Sequence, residues 1–311
     1  MRFKKIAVVG AGICGLYLAA RLAQKGFRVT VFERKKEVGK TACSGLFSAR
    51  ILDFIPESKK LIENEIEYVI LHFPQKTLKI KFSRKFYVIH HQELDRLAAD
   101  WAQKAGAEII LGQEIKELPS GFDKIIGCDG AASQVRRVLG LPNPHFFLGI
   151  QSFITGQDFS NFVETWATKA GFLWKIPRGR EIEYGIMEKK EKAKELLDEF
   201  FKKNNIEPQR TNSALIPQGF IVPSHSQITL CGDAAGLTKP WSGGGVIWGL
   251  TAANILLKNF PDFLKYKKEL RKTFLPKIIF SKTANGMVHF LGFNMPWILP
   301  QEYEIESDFL V

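Results

Sequence analysis

Three glycine-bearing segments hold residues whose types and spacing point to chemistry. Gly10-Ala11-Gly12-Ile13-Cys14-Gly15 follows a short apolar run and precedes a stretch, 13–24, with apolar side chains at helical spacing. In that setting the first glycine allows a tight turn, the second lets the main chain approach a pyrophosphate, and the third permits close helix–strand packing. The helix N-terminus then faces the phosphates. Glu33 ends the next apolar run, 28–32, where it can accept hydrogen bonds from an adenosine ribose and repel a 2′-phosphate. Cys14, at a variable position of the turn, reads as a packing residue. The second segment, Gly127-Cys128-Asp129-Gly130-Ala131-Ala132-Ser133-Gln134-Val135-Arg136, reads as a strand ending in Asp-Gly, with Ser133 as the cap of a short helix. The third runs from an apolar strand at 228–231 into Gly232-Asp233-Ala234-Ala235-Gly236, where the carboxylate can bond a ribityl hydroxyl. Pro240-Trp241-Ser242-Gly243-Gly244-Gly245 then opens an apolar helix, whose first N–H groups can face the electron-rich oxygens of a flavin ring.

The elements that must position these groups follow from periodicity. A strand at 4–9, a helix at 13–24 stopped by Gly26 and a strand at 28–32 form a βαβ opening, which implies a parallel sheet with a crossover helix. Residues 39–50 read as a loop, and 67–73 with 77–82 as a hairpin around Pro74. A helix is expected at 92–105, and short strands at 108–111, 114–118 and 124–127. Several strands are expected between 147 and 187, then a charged helix at 189–204 and an apolar helix at 246–257. The fold class is therefore α/β: a Rossmann-like nucleotide-binding domain, discontinuous over 1–66, 88–145 and 222–260, with an inserted β-rich substrate domain at 67–87 and 146–221. A basic, helical C-terminal tail occupies 261–311. In that tail Phe263, Tyr266, Leu270, Phe274 and Ile278 recur at three- to four-residue spacing among seven lysines and arginines, and Pro276 is expected to divide the pattern into two helices. Phe293 and Trp297 follow in an apolar stretch. The tail fits either attachment to an anionic membrane surface or a cap over the substrate domain.

Composition narrows the classes. The 311 residues are 45% hydrophobic and 24% charged, which excludes a disordered, collagenous or coiled-coil protein. No uncharged apolar run reaches the roughly 18 residues a membrane-spanning helix needs. The first apolar run leads straight into Gly10, so it reads as structure and not as a removable leader. The four cysteines are widely spaced without a CxxC pair, which argues against a metal site and a disulfide scaffold, and for a cytoplasmic location. The 44 basic residues exceed the 32 acidic ones, a net charge of +12. That excess suits an anionic membrane surface or simply a solvated basic one; nucleic-acid binding is not expected, because no recognised module is present.

Taken together, Gly10–Gly15 with Glu33, Asp129-Gly130 with Ser133 and Arg136, and Gly232–Gly236 with Pro240 and Gly243–Gly245 resemble the FAD-binding pattern of the glutathione-reductase-type flavoproteins, in the para-hydroxybenzoate hydroxylase branch. The resemblance spans roughly 10–250 in the branch's order. It implies FAD as cofactor, bound by Gly10, Ala11, Gly12, Gly15, Glu33, Arg34, Asp129, Gly130, Gly232, Asp233, Ala234, Gly236, Pro240, Gly243, Gly244 and Gly245. The Asp129 segment would lie near the pyrophosphate, Asp233 on the ribityl chain, and Gly243–Gly245 by the isoalloxazine. The branch usually carries an arginine just before the Leu-Asp of this region; here His90-His91 stand in its place, and Arg96 is expected to replace it in part. No second G-x-G-x-x-G is present, so an external electron donor, NAD(P)H or reduced ferredoxin, is expected.

Two further segments narrow the resemblance. Lys40-Thr41-Ala42-Cys43-Ser44-Gly45-Leu46-Phe47-Ser48 and Gly171-Phe172-Leu173-Trp174-Lys175-Ile176-Pro177-Arg178, with 240–245, resemble the geranylgeranyl reductase family. Its members use reduced FAD to saturate C=C bonds of isoprenoid chains. The resemblance implies a prenylated lipid substrate, Cys43 as the candidate catalytic residue beside the flavin, and Trp166, Phe172, Trp174, Pro177 and Trp241 as walls of the substrate cavity. Phe172 stands where the family often has Tyr, and Ile176 where it often has Phe. Without a ligand role, Trp174 and Pro177 read as a core strand edge. The same Trp-x-Ile-Pro string resembles a motif of flavin-dependent halogenases, so the alternative is an FAD monooxygenase or halogenase acting on an aromatic substrate. A flavin-carrying binding protein without turnover is a third reading.

Overall fold

The computed structural model describes residues 4–39 and 42–310. In chain order the elements are β1 (Lys5–Val9), α1 (Ile13–Gln24), β2 (Arg28–Phe32), β3 (Leu46–Ser48), α2 (Ile51–Phe54), β4 (Ile62–Phe73) and β5 (Lys76–Ile89). Then follow α3 (His91–Lys104), β6 (Glu108–Ile110), β7 (Lys124–Gly127), α4 (Gln134–Val138), β8 (His145–Asp158), β9 (Phe162–Ala167) and β10 (Phe172–Pro177). The remainder are β11 (Gly179–Glu188), α5 (Lys190–Lys203), β12 (Arg210–Gln218), β13 (Ile228–Leu230), α6 (Val246–Asn259), α7 (Phe263–Asn294) and β14 (Glu302–Ile305). These divide into two compact units, one of residues 1–40, 91–145 and 217–278, the other of 41–90, 146–216 and 279–311.

The first unit is built on a parallel sheet, ordered β13-β7-β1-β2-β6 among the described residues. Ile6, Ala7 and Val8 are fully buried, as expected for a strand covered on both faces. Helix α1 buries Leu16, Leu18 and Leu22 and ends at Gly26, which takes φ +83°, a left-handed value suited to glycine. The strand expected at 114–118 is absent: that stretch is irregular. Glu114, Lys116 and Glu117 are exposed and Ile115 and Leu118 only half-buried, so the stretch has little apolar surface to hold it on a sheet.

The second unit is built on a larger sheet, ordered β12-β8-β11-β10-β9-β4-β5-β14, with β3 on β5. The β4–β5 hairpin is longer than the sequence pattern suggests, because Ile62–Ile66 pair with Phe86–Ile89 beyond the expected segments, burying Ile66, Phe86, Val88 and Ile89. Each sheet face carries its own apolar cluster. Trp174 and Ile176 join Ile66, Phe86, Val88, Val163 and Met187 on one face. Leu173 joins Ile150 and Ile186 on the other, beneath Ala193, Leu197 and Phe201 of α5. This is the period-two alternation of a strand. The unit boundaries differ from those expected: residues 42–66 pack here, since β3 and β4 pair with β5, while 217–221 and 261–278 belong to the first unit.

The tail also departs from expectation. Helix α7 is one helix through Pro276 and not two. A proline removes one intrahelical bond and crowds the carbonyl four residues back. Here Pro276 lies on the solvent side of the helix, where water can satisfy that carbonyl. The stripe Phe263, Tyr266, Leu270, Phe274 and Ile278 is buried, so it is core and not a membrane face. Tyr266 donates its hydroxyl hydrogen to the Leu230 carbonyl at 3.1 Å.

Candidate functional site

In the first unit the glycine turn has the shape its sequence implies. Gly10 takes φ +105°, and a Cβ on it would strike the main chain at Cys128 and Asp129. A Cβ on Gly15 would collide with the Gly10 carbonyl oxygen. Gly12 differs from both: a Cβ there meets no atom within 4 Å, so its backbone borders open space. Gly12 also begins α1 with no side-chain cap and no acidic residue in the first turn. Glu33 accepts the Ala11 N–H at 2.8 Å and the Lys35 N–H at 2.9 Å, tying the turn to the end of β2. Cys14 fills the hollow over two glycines: a Cβ on Gly232 would lie 2.9 Å from its sulfur, and one on Gly249 closer still. The bond with Cys231, together with burial, pushes the Cys128 thiol up, which makes it a poor nucleophile.

The second and third motifs join in the same unit. The Asp129 carboxylate accepts the Ser133 hydroxyl at 2.6 Å and the N–H groups of Gln134 and Val135 at 2.6 and 3.0 Å. It therefore caps α4 and shapes the loop, while Ser133 accepts the Arg136 N–H at 3.0 Å. Arg136 is buried and donates to the carbonyls of Ala234 and Ala131 and to Asn143 Oδ1, at 2.9, 2.7 and 3.1 Å. One guanidinium thus clamps the second motif to the third. The glycine run folds back on Lys239, whose N–H donates to the Gly244 carbonyl at 3.0 Å and whose carbonyl accepts from Gly243 at 2.9 Å. A Cβ on Gly245 would lie 2.6 Å from Asp233 Oδ1, so only glycine lets α6 start beside that carboxylate. Helix α6 also begins with no side-chain cap and no acid in its first turn.

These features fit FAD. Two uncapped helix starts in one unit offer N–H donors and positive dipole ends, and the open space at Gly12 is where a phosphate group can approach. Gly130 (φ +78°), Gly232 (φ +65°) and Gly236 (φ +78°) give their loops left-handed turns, and Ala234 and Pro240 are buried. Arg34 is exposed. Arg96 is exposed on α3, paired with Glu93 one turn back, so its contact with a cofactor has no support in the structure. Trp241 meets the buried Trp248 edge-on at 5.9 Å. Lys239, which sequence reasoning passed over, is buried with its ammonium 5.7 Å from the Trp241 ring. Its signal was a lysine inside an otherwise apolar and glycine-rich loop.

In the second unit the Cys43 and Trp174 segments meet through side chains that the sequence did not single out. Lys40 and Thr41 of the first segment lie outside the described residues. The Trp174 indole lies over Gly185, where a Cβ would collide with its ring, and donates its N–H to Glu183 Oε1 at 2.9 Å. Glu183 is 0% exposed. Arg178 Nε donates to Glu183 Oε2 at 2.9 Å, Nη1 to Glu63 Oε2 at 2.7 Å, and Nη2 to the Ser44 carbonyl. Gly45, at φ +64°, donates its N–H to Cys43 Sγ at 3.5 Å. Burial pushes the Glu183 carboxyl up against the pull of Arg178. Burial works against the Arg178 charge too, but Glu183 and Glu63 outweigh it.

The aromatic residues expected to wall one cavity do not share a face. Phe172 and Trp174 sit together, ring centres 5.9 Å apart. Trp166 pairs across the ladder with Leu173, and therefore points to the opposite face. There it packs on Phe200 of α5 at 4.9 Å and stacks on His72 at 5.4 Å. Pro177 ends β10, its carbonyl accepting from Asn64 at 3.1 Å.

Comparison with known proteins agrees with the cradle. Residues 5–137 match the family model described as FAD dependent oxidoreductase. The chain is an FAD-dependent oxidoreductase, with the mixed α/β fold of that class. Among curated relatives it is similar to digeranylgeranylglycerophospholipid reductase 1 of Methanococcoides burtonii, 24% identical over 78% of this chain and 70% of that protein. Among solved structures it is similar to a geranylgeranyl bacteriochlorophyll reductase-like protein from Thermoplasma acidophilum. The TM-score is 0.80 at 20% identity, covering 93% of this chain and 89% of that one. A flavin-dependent halogenase from Xanthomonas campestris shares the fold, with TM-score 0.75 at 12% identity, covering 94% of this chain and 78% of that one.

Proposed function

We propose that this protein saturates C=C bonds in the isoprenoid chains of a prenylated lipid. The observation that carries this reading is the joining, in one side-chain network, of the Cys-x-Gly loop and the Trp-x-Ile-Pro strand. Similarity to a digeranylgeranylglycerophospholipid reductase over 78% of the chain supports it. The α1 start and Gly12 hold the pyrophosphate, Glu33 and Asp233 take the sugar hydroxyls, and the Gly243–Gly245 run with the α6 start holds the ring. FAD, when bound and reduced, supplies the hydride. An isolated trisubstituted alkene is a poor hydride acceptor, so the chain's task is to deliver a proton to the adjacent carbon and to stabilise cationic character. Cys43 delivers the proton. Phe172 and Trp174 present apolar, electron-rich faces and exclude water. An external donor, NAD(P)H or reduced ferredoxin, replaces the two electrons each turnover consumes.

The lipid substrate agrees with an exposed surface in the second unit. Among the described residues no helix is long and apolar enough to cross a membrane. Past Ile278, however, α7 and the turn after it expose Ile279, Phe280, Met287, Phe290, Trp297 and Ile298, with Trp297 72% exposed. No acidic residue stands between Glu269 and Glu302, and Lys282 is the sole lysine or arginine from 278 to 300. Such an apolar, nearly uncharged face suits the headgroup–acyl boundary of a bilayer. Phe290→Ser with Trp297→Ser should abolish flotation with phosphatidylglycerol vesicles and leave the thermal midpoint unchanged; undiminished flotation refutes the surface.

The direct test reduces the purified protein without oxygen, mixes it with a geranylgeranylated phospholipid and weighs the lipid. Gain of hydrogen pairs on the chain supports the reading. Unchanged lipid with fast, substrate-stimulated oxygen uptake from an aromatic compound favours the halogenase or monooxygenase alternative, which the Trp-x-Ile-Pro string and the halogenase likeness keep in view.

A further inference from the structure

Arg178 makes three directed hydrogen bonds with three nitrogens, and each goes to a different part of the second unit. Nε reaches Glu183 on β11, Nη1 reaches Glu63 on β4, and Nη2 reaches the main-chain carbonyl of Ser44, between Cys43 and Gly45. The side chain is 5% exposed. The loop it touches lies outside regular structure, and its anchors include the Ile89 N–H, which donates to the Gly45 carbonyl at 2.9 Å, and the Gly45 N–H on the Cys43 sulfur. A Cβ at position 45 would lie 2.8 Å from Arg178 Nη2 and would strike the Ile89 carbonyl. The loop and the guanidinium are therefore fitted to one another. On the far side of the pair, Glu183 divides its oxygens between Arg178 and the Trp174 indole.

A buried ion pair is a poor means of stabilising a sheet: desolvation offsets most of its attraction, and apolar side chains of similar volume serve packing as well or better. What the pair does supply is direction. A guanidinium fork held by two carboxylates has one orientation, which a lysine ammonium cannot reproduce. We propose that Arg178 is the positioning residue of the Cys43–Gly45 loop, with Glu183 and Glu63 orienting its guanidinium and Trp174 completing the chain of contacts. The inference rests on the reading that Cys43 serves the reaction. Arg178 then sets the presentation of the thiol through the Ser44 carbonyl.

The test uses the full-length, flavin-loaded protein with Arg178→Lys, Glu63→Gln and Cys43→Ser. Alkylation of Cys43 by iodoacetamide is timed by peptide mass, with Cys14 in the same digest as an internal reference. Arg178→Lys should keep its flavin content and Cys14 rate, change the Cys43 rate several-fold, and lower kcat about ten- to a hundredfold at nearly constant KM, the scale of a reacting group misplaced by up to roughly 1 Å. Glu63→Gln removes the charge of a partly exposed partner and should shift both readouts in the same direction by less; it carries the test where Arg178→Lys fails to fold. An unchanged Cys43 rate in both folded variants overturns the proposal. A shifted Cys43 rate combined with a Cys43→Ser protein that keeps the parent kcat upholds the positioning of the loop and refutes the role of Cys43 in turnover.

Discussion

The two units solve their tasks with different materials. The first presents main chain: glycines that open turns, two helix starts without caps, and a loop shaped by Asp129 and clamped by Arg136. The second presents side chains: a thiol in a loop, an indole over Gly185, and an ion pair between them. A main-chain site tolerates few substitutions at its glycines but asks little of its other side chains. A side-chain site depends on partners far apart in sequence, each of which must be the right residue.

That contrast can be broken or sharpened by substitution, beginning with the largest effect. Gly15→Ala forces a methyl into the Gly10 carbonyl and should leave no folded, flavin-bearing protein, as read by circular dichroism and flavin absorption. Glu183→Ala leaves the Arg178 charge in a buried site with one partner removed; urea unfolding should show a loss of about 3–5 kcal/mol, and a loss under 1 kcal/mol would make the pair dispensable. Trp174→Phe keeps the ring but strands Glu183 Oε1, at a cost of about 1–3 kcal/mol. Gly12→Ala should fold with an unchanged melting temperature, because its Cβ meets no protein atom, yet bind FAD about tenfold or more weakly, a difference of about 1.4 kcal/mol. Normal affinity there would mean that the open space is not the phosphate site.

The smallest effect is a pH dependence. Burial lowers the His289 pKa from its ordinary 6.5, beside Phe73 and Phe293. Its neutral form is favoured in the folded state, so the unfolded chain takes up a proton first as pH falls. Stability is full above about 6.5 and declines below it, toward the lower folded value. The melting temperature should drop between pH 7.5 and 5.5, and His289→Phe should flatten that slope.

Legibility follows the same division. The glycine turn, Glu33, the Ser133 cap and the glycine run before α6 could be read from sequence because each is a local backbone requirement with a short signature. The Arg178 network could not. Glu63, Ser44, Arg178 and Glu183 are brought together by strand pairing across more than a hundred residues, and a glutamate on a strand reads as surface until its partner is known. The separation of Trp166 from Trp174 was hidden for a simpler reason, since an odd shift in register between neighbouring strands turns a side chain to the other face. Pro276 misled because proline is read as a break, whereas a buried stripe on both sides of it holds α7 straight through.

Strand β14 sets an order of events during synthesis. It pairs with residues 79–82 of β5, more than two hundred positions earlier, and Glu302 meets Lys81 at 2.6 Å. Asp308, just beyond it, is buried against Ser48 and Arg50. As the chain leaves the ribosome, the outer edge of β5 at residues 79–82 emerges first and waits, unpaired, until residues 302–305 arrive. An open strand edge of that kind invites pairing with other chains. The interval between the two emergences is when this protein has most need of a chaperone.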